Sequence, residues 1–385
     1  MDFLTFLEDN YDRFRVEGFD AKYLPYLKLK EFLDLHYPTK NLIGKSFLGN
    51  DIYHLKIGSG KIKILAWSQM HGNESTGTRA MLDVFSFLNS DHKWTKELLS
   101  KVTFHFVPML NPDGSANYQR RNAMGVDLNR DYLKESSPEI KVLKDLVTEH
   151  EFDYLFNLHD QRTIFNVGHT KEAATLSFLA PSADWERTVT DLRLKSMSVI
   201  HYMYESLKPY LDGNMARFSD EFYLTSTGDN FMRLGIPTIL FEAGHFPNDY
   251  QRNFVRKCNA LAILLALESI SIQSQSTLED YLEIPPNNNK ALDVVLRNVR
   301  LKSNSTESLI DIGIYFEEKL NHETQEVEFI GKINEIGDLD AYFGYEDLDL
   351  KGEIYIGKNS FYPQLGEIAH FSVGILHFEN GKFIN

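Results

Sequence analysis

Residues 61–88 read KIKILAWSQMHGNESTGTRAMLDVFSFL. The apolar run through Trp67 has strand character, and helical spacing of apolar residues begins after Ser75 and Thr76, two capping candidates. Between strand and helix stand His71 and Glu74, three residues apart. An apolar rather than alternating strand that feeds a helix belongs in a sheet covered on both faces. The same alternation recurs. Strands are expected in DIYHLKIG (51–58), VTFHFVPML (102–110), FDYLFNLH (152–159) and GIPTILFEAG (235–244). Helices are expected in SPEIKVLKDLVTEH (137–150), DWERTVTDLRLKSMSVIHYMYESL (184–207) and YQRNFVRKCNALAILLALESI (250–270). The expected fold is α/β, a mixed, mainly parallel sheet with helices on both faces.

The alternation stops near Ile272, and EIPPNNNKA (283–291) is a cluster of breakers. Beyond it lie β-like runs such as LDVVLRNVRL, SLIDIGIYF and AHFSVGILHF. Two domains are therefore expected, a catalytic one over 1–280 and a small all-β one over 290–385.

Composition narrows the class. A net charge of −15 over 385 residues argues against nucleic acid or an anionic membrane surface as partner. The single cysteine, Cys258, allows no internal disulfide and no cysteine-rich zinc site. The opening MDFLTFLEDNYDRFRVEGFD lacks a basic start followed by an apolar core, and no apolar run is long enough for a bilayer span. A cytoplasmic location is expected.

Sites in open α/β sheets form beyond the carboxyl ends of strands. Three polar signals fall there: His71 with Glu74, His159 at the end of FDYLFNLH, and Glu242 at the end of GIPTILFE. Two histidines and a glutamate match the ligand set of a catalytic zinc ion, which leaves a position for water. A further carboxylate can then serve as general base. Any one of these residues alone is an ordinary strand-end polar group. Together they make sense chiefly around a cation, because an ionised carboxylate is costly to bury without compensation.

The segment NPDGSANYQRRNAMGVDLNRDY (111–132) adds NPDG, RRN and GVDLNR in close succession. With HGNE, the LH of FDYLFNLH and the FE of GIPTILFE, the order resembles the zinc metallocarboxypeptidases of the carboxypeptidase A type, over roughly residues 40–270. The resemblance implies one zinc ion held by His71, Glu74 and His159, with Glu242 as general base. It implies that Arg121, with Arg120 as the alternative, polarises the scissile carbonyl. It implies that Asn129 and Arg130 grip the terminal carboxylate of the substrate, where a guanidinium can make two parallel bonds. Where the family continues with Asn-Phe this chain has Asp131 and Tyr132, and an acid there is expected to weaken or redirect the grip. Tyr223 is the candidate for the tyrosine that closes over substrate, and Asp229 for a pocket floor favouring a basic side chain. Asp160 and Arg162, next to His159, are candidates for anchoring a ligand or touching substrate.

The implied function is zinc-dependent exopeptidase action on a C-terminal peptide or peptide-like amide bond. The alternative is an acyl-amino-acid amidohydrolase of the related aspartoacylase and succinylglutamate desuccinylase group, which shares the DLNR grip and an appended β domain. Either substrate carries a free carboxylate.

Overall fold

The computed structural model describes residues 2–358 and 360–384. The chain divides into two compact units, Met1–Gln161 with Ala174–Pro286, and Arg162–Ala173 with Asn287–Asn385.

The first unit opens with helices α1 (Phe3–Phe14) and α2 (Tyr26–His36), then strands β1 (Asn41–Lys45), β2 (Asp51–Gly58) and β3 (Ile62–Trp67). Next come α3 (Thr76–Leu88), α4 (Lys93–Lys101), β4 (Val102–Val107), α5 (Pro112–Ala116), α6 (Pro138–Glu149) and β5 (Tyr154–Asp160). The chain then lends the short strand β6 (Asn166–Val167) to the second unit. It returns as β7 (Leu176–Leu179), α7 (Asp191–Leu207), β8 (Met215–Arg217), α8 (Thr227–Arg233), β9 (Thr238–Ala243), α9 (Asn253–Ile272) and α10 (Leu278–Leu282).

Eight strands form one sheet in the order β1-β2-β4-β3-β5-β9-β7-β8, with β4, β3, β5 and β9 mutually parallel at its centre. Those central strands are buried on both faces, which explains their unbroken apolar runs. Ile64, Ala66, Phe156, Leu158, Ile239 and Phe241 face the larger core, with α3 and α9. Leu65, Trp67 and Leu155 face the other, with Ile140 of α6 and Phe231 of α8. Gly77 lets α3 lie close on the sheet, since a β-carbon there would stand 2.8 Å from that of Leu158.

Two helices begin later than their sequence pattern. Residues 184–190 stay outside α7, because Arg187 takes a left-handed φ of 56° and Thr190 caps the helix by accepting from the Arg193 N–H. α9 starts at Asn253 for a similar reason, its cap residue Arg252 having φ 58°.

In the second unit β6 pairs with β10 (Asn287–Asn288). A four-stranded sheet in the order β13-β12-β11-β14 follows, from β11 (Ala291–Lys302), β12 (Glu307–Asn321), β13 (Glu326–Gly337) and β14 (Phe343–Asp349). A smaller sheet joins β15 (Tyr355–Gly357), β16 (Phe371–Val373), β17 (Leu376–Glu379) and β18 (Lys382–Ile384) in order. Leu292, Val295 and Leu339 form a core of the unit. Among the described residues no helix is long and apolar enough to cross a membrane.

Candidate active site

His71 lies just past β3, Glu74 just before α3, and His159 near the end of β5. All three are buried, and one ligand atom from each falls within 4.8 Å of the others. His71 Nδ1 is 2.9 Å from Glu74 Oε1, His159 Nδ1 is 2.9 Å from Glu74 Oε2, and the two Nδ1 atoms are 3.1 Å apart. Asp160 ties this geometry together. Its N–H donates to Glu74 Oε2 at 3.1 Å, and its carboxylate accepts from the Thr76 N–H and hydroxyl at the start of α3. Strand end and helix start are thereby locked to one another.

The donor set asks for a cation. His71 Nε2 stands 3.0 Å from Asp127 Oδ1, an acceptor, so that nitrogen carries the proton. In the neutral ring Nδ1 is then a lone pair, and it faces the Glu74 carboxylate and the Nδ1 of His159. A divalent metal resolves that conflict, and the carboxylate behind His71 is the usual device for orienting a ligand imidazole. Asp127 was not among the expected site residues, although it stands inside GVDLNR. Burial pushes its carboxyl up, but hydrogen bonds and charge from His71 and Arg120 hold it well below the usual range.

Glu242 occupies the register position beside His159, on the neighbouring strand β9. Its Oε2 is buried with no hydrogen-bond partner. Burial, then the charges of Glu74 and Asp160, raise its carboxyl well above the usual range. A carboxylate in that condition has the basicity a proton carrier needs.

The two adjacent arginines part company. Arg120 reaches the cluster, with Nη1 3.1 Å from Glu74 Oε1 and Nε 3.0 Å from Asp127 Oδ2. Arg121 is exposed, and its Nη1 donates to the Gly125 carbonyl at 2.9 Å. The loop is pinned just after them by Asn122, which donates to Glu139 and accepts from the N–H groups of Met124 and Val126. With the turn so fixed, the side chain that meets the ligand cluster is that of Arg120, not the expected Arg121.

Asn129 and Arg130 sit on a short 3₁₀ turn, Leu128–Arg130, capped by Asp127. Asn129 Oδ1 accepts from the Thr227 N–H at 3.0 Å. The Arg130 guanidinium stands 4.9 Å from the centre of the Tyr223 ring, whose hydroxyl donates to Glu221. Tyr223 and Arg130 are therefore brought together. Asp131 is not beside the grip: its carboxylate accepts from the N–H and hydroxyl groups of Ser136 and Ser137 and holds the start of α6. Asp229 accepts from the Tyr223 N–H at 2.9 Å, and burial pushes its carboxyl up to about 6. Arg162 falls in the second unit.

Comparison with known proteins agrees with this arrangement. Residues 36–231 match the family model described as zinc carboxypeptidase. A probable carboxypeptidase 2 of Arthroderma benhamiae is 31% identical over 112 residues, which is 29% of this chain and 20% of that protein. The chain thus covers about a fifth of the curated relative's length. The metallo-carboxypeptidase of Burkholderia cenocepacia superposes with a TM-score of 0.52 at 19% identity, over 66% of this chain and 70% of that one. The carboxypeptidase A of Helicoverpa armigera does so at 0.53 and 16%, over 70% and 81%. The family match spans half the sequence, from before β1 into α8, and contains the His71, Glu74 and His159 cluster. With the carboxypeptidase fold around that cluster, the chain belongs to the zinc carboxypeptidase family.

Proposed function

We propose that the first unit is a zinc-dependent exopeptidase that hydrolyses the last peptide or peptide-like amide bond of a substrate with a free carboxylate. The reading rests chiefly on one observation: His71, Glu74 and His159 converge on one point, with Glu242 on the adjoining register position. These three side chains would hold the zinc. When bound, the metal supplies a Lewis acid that makes hydroxide available near neutral pH and polarises the carbonyl.

The chain's own groups do the rest. Glu242 takes a proton from the attacking water and later hands it to the departing amine. Arg120 presents a fixed cation to the oxygen on which charge develops. Asn129 and Arg130 bind the terminal carboxylate and so confine attack to the last bond. Tyr223, stacked on Arg130, covers the seated substrate. Asp127 orients His71, and Asp160 holds Glu74 against β5. The β-rich second unit is read as a separate domain.

The test is mass spectrometry of a panel of peptides and acyl-amino acids after incubation with zinc-loaded protein. Free peptides should lose one C-terminal residue, and their C-terminal amides should be inert. Arg130→Ala should raise KM for the free peptides more than it lowers kcat. Equal rates on free and amidated peptides would sink the carboxylate grip. Turnover of acyl-amino acids alone would favour the amidohydrolase alternative.

A further inference from the structure

Arg252 combines two features that sit badly together. Its backbone is left-handed, with φ 58° and ψ 34°, where glycine or asparagine is at ease and a long side chain is not. Asp249 fixes that turn. Its carbonyl accepts the Arg252 N–H at 2.9 Å, and its carboxylate accepts the N–H groups of Asn253 and Val255 at the start of α9. Nothing in the turn itself calls for an arginine. The side chain is buried all the same, and its guanidinium is aimed at three main-chain carbonyls. Nη1 donates to Ala243, at 2.7 Å, and to Gly244, while Nη2 donates to Gln161 at 2.8 Å. Among the described residues no carboxylate is hydrogen-bonded to it, so burying this cation is costly.

Those carbonyls mark the ends of two adjacent strands. Ala243 and Gly244 follow Glu242 out of β9, and Gln161 follows His159 and Asp160 out of β5. The ladder between them reaches its last rung at Asp160 and Ala243, where the Gln161 N–H donates to the Ala243 carbonyl at 2.9 Å. Past that rung the guanidinium takes over as the link. The other side of β9's exit has no slack, since the Gly244 N–H donates to the Thr175 carbonyl at 2.8 Å and a β-carbon on Gly244 would stand 1.8 Å from the Ala174 oxygen. The arginine is also anchored toward the metal side. The carbonyl of Gln251 accepts from Arg79 of α3 at 3.0 Å, and Gln251 Oε1 accepts from the Lys22 N–H at 2.9 Å. The Lys22 carbonyl in turn accepts from the hydroxyl of Ser75, the residue after Glu74.

We propose that Arg252 is a positioning residue for proton transfer: it ties the end of β9 to the end of β5 and so fixes Glu242 relative to the metal ligands. It acts through Glu242 and touches neither substrate nor metal. This role rests on the exopeptidase reading, but the clamp can be measured without turnover.

The experiment uses the zinc-loaded full chain. Arg252→Met keeps much of the side chain's length and loses every donor. Its kcat on peptides with a free C-terminus should fall by roughly 10²-fold, the scale on which a small misplacement of a reacting group acts, while KM and zinc content stay near wild type. Arg252→Lys keeps one donor group and should recover part of the loss; it also carries the same comparisons if Arg252→Met does not fold. A merely structural turn would behave otherwise, because Arg252→Gly relieves the left-handed backbone and would leave kcat intact. Under the proposal Arg252→Gly loses kcat even where its melting temperature holds. In a Glu242→Gln background, Arg252→Met should cost no more than about threefold in kcat, because the group it positions is gone. Full additivity of the two losses overturns the proposal, and so does loss of zinc from Arg252→Met, which would place the effect on His159. Hydrogen exchange gives the readout that needs no turnover: the amides of Gln161 and Gly244 should exchange about tenfold faster in the Met and Lys variants, with amides in mid-strand unchanged. Unchanged exchange at those two amides overturns the clamp whatever the activity. If wild type cleaves no peptide but the local loosening occurs, the exopeptidase reading fails and the clamp on Glu242 stands.

Discussion

Two buried histidine pairs occur in the first unit, with ring nitrogens almost equally close. His71 and His159 approach to 3.1 Å, Nδ1 to Nδ1, and His54 and His105 to 2.9 Å, Nε2 to Nδ1. Their surroundings differ in one respect. Glu74 and Asp127 contact the first pair, and Arg120 closes the group from outside. The second pair lies on β2 and β4 in stacked rings 5.0 Å apart, with His150 and Phe152 against it and Lys56 and Lys63 contributing positive charge. Two imidazoles with carboxylates form a cation site. Two imidazoles flanked by cations can share one proton between them, and neither can take up another without cost.

The contrast can be broken most directly by metal content. Wild type should hold about one zinc per chain, as a single site of this ligand set would. His159→Ala should lose nearly all of it and all activity, whereas His105→Ala should keep it. Elemental analysis of the two purified variants checks this. Zinc loss from the His105 variant would mean that both pairs bear on the metal and that carboxylates are not what separates them.

Within the first cluster, Glu242 is assigned to proton transfer rather than to the metal. Glu242→Gln should fold and bind zinc but lose turnover by ~10²–10⁴-fold or more, because one group serves both proton transfers. Loss of zinc along with activity would make Glu242 a ligand instead. Asp127→Asn probes the shell behind His71. It should weaken zinc affinity by about 10–100-fold, a typical effect for a partner of a ligand histidine, while activity at saturating zinc largely recovers. Competition with a chelator measures that shift.

How far this site could be read beforehand follows from the same physics. That His71, Glu74, His159 and Glu242 would come together was legible because each interrupts or ends an apolar run, and the topology of parallel strands puts such ends side by side. Asp127 was visible in GVDLNR, but nothing in the order of letters says that a carboxylate will stand behind a histidine 56 positions away. The choice between Arg120 and Arg121 was not legible at all. In an irregular loop neighbouring side chains follow no period, and which of the two reaches the ligand cluster depends on the turn that Asn122 pins. The late start of α7 escaped for a related reason, since WERTV carries no glycine or proline to mark the break. Asp131 misled because its donors, Ser136 and Ser137, matter only once α6 is in place.

The last expected effect concerns the stability conferred by the second pair. Burial, then the positive charge of His150 and Lys56, lowers the His54 pKa to about 4. Burial, then His54, Lys56, His150 and Lys63, lowers that of His105 to about 3. An unfolded histidine titrates near ~6.5, so between that pH and the folded values the unfolded chain binds more protons. Stability associated with the pair is therefore complete above about pH 6.5 and declines as pH falls toward 4. Between pH 7 and 5 the loss should reach up to about 2 kcal/mol for each histidine, as linkage gives for a pKa held two or more units below 6.5. Urea midpoints at the two pH values measure it, with His54→Gln/His105→Gln as the control for carboxylates elsewhere. The variant should be less sensitive to acid than wild type even if it is less stable at pH 7. Parallel pH profiles for the two proteins would show that the pair is insulated from titration, and the physical distinction between it and the metal cluster would then have to rest on the carboxylates alone.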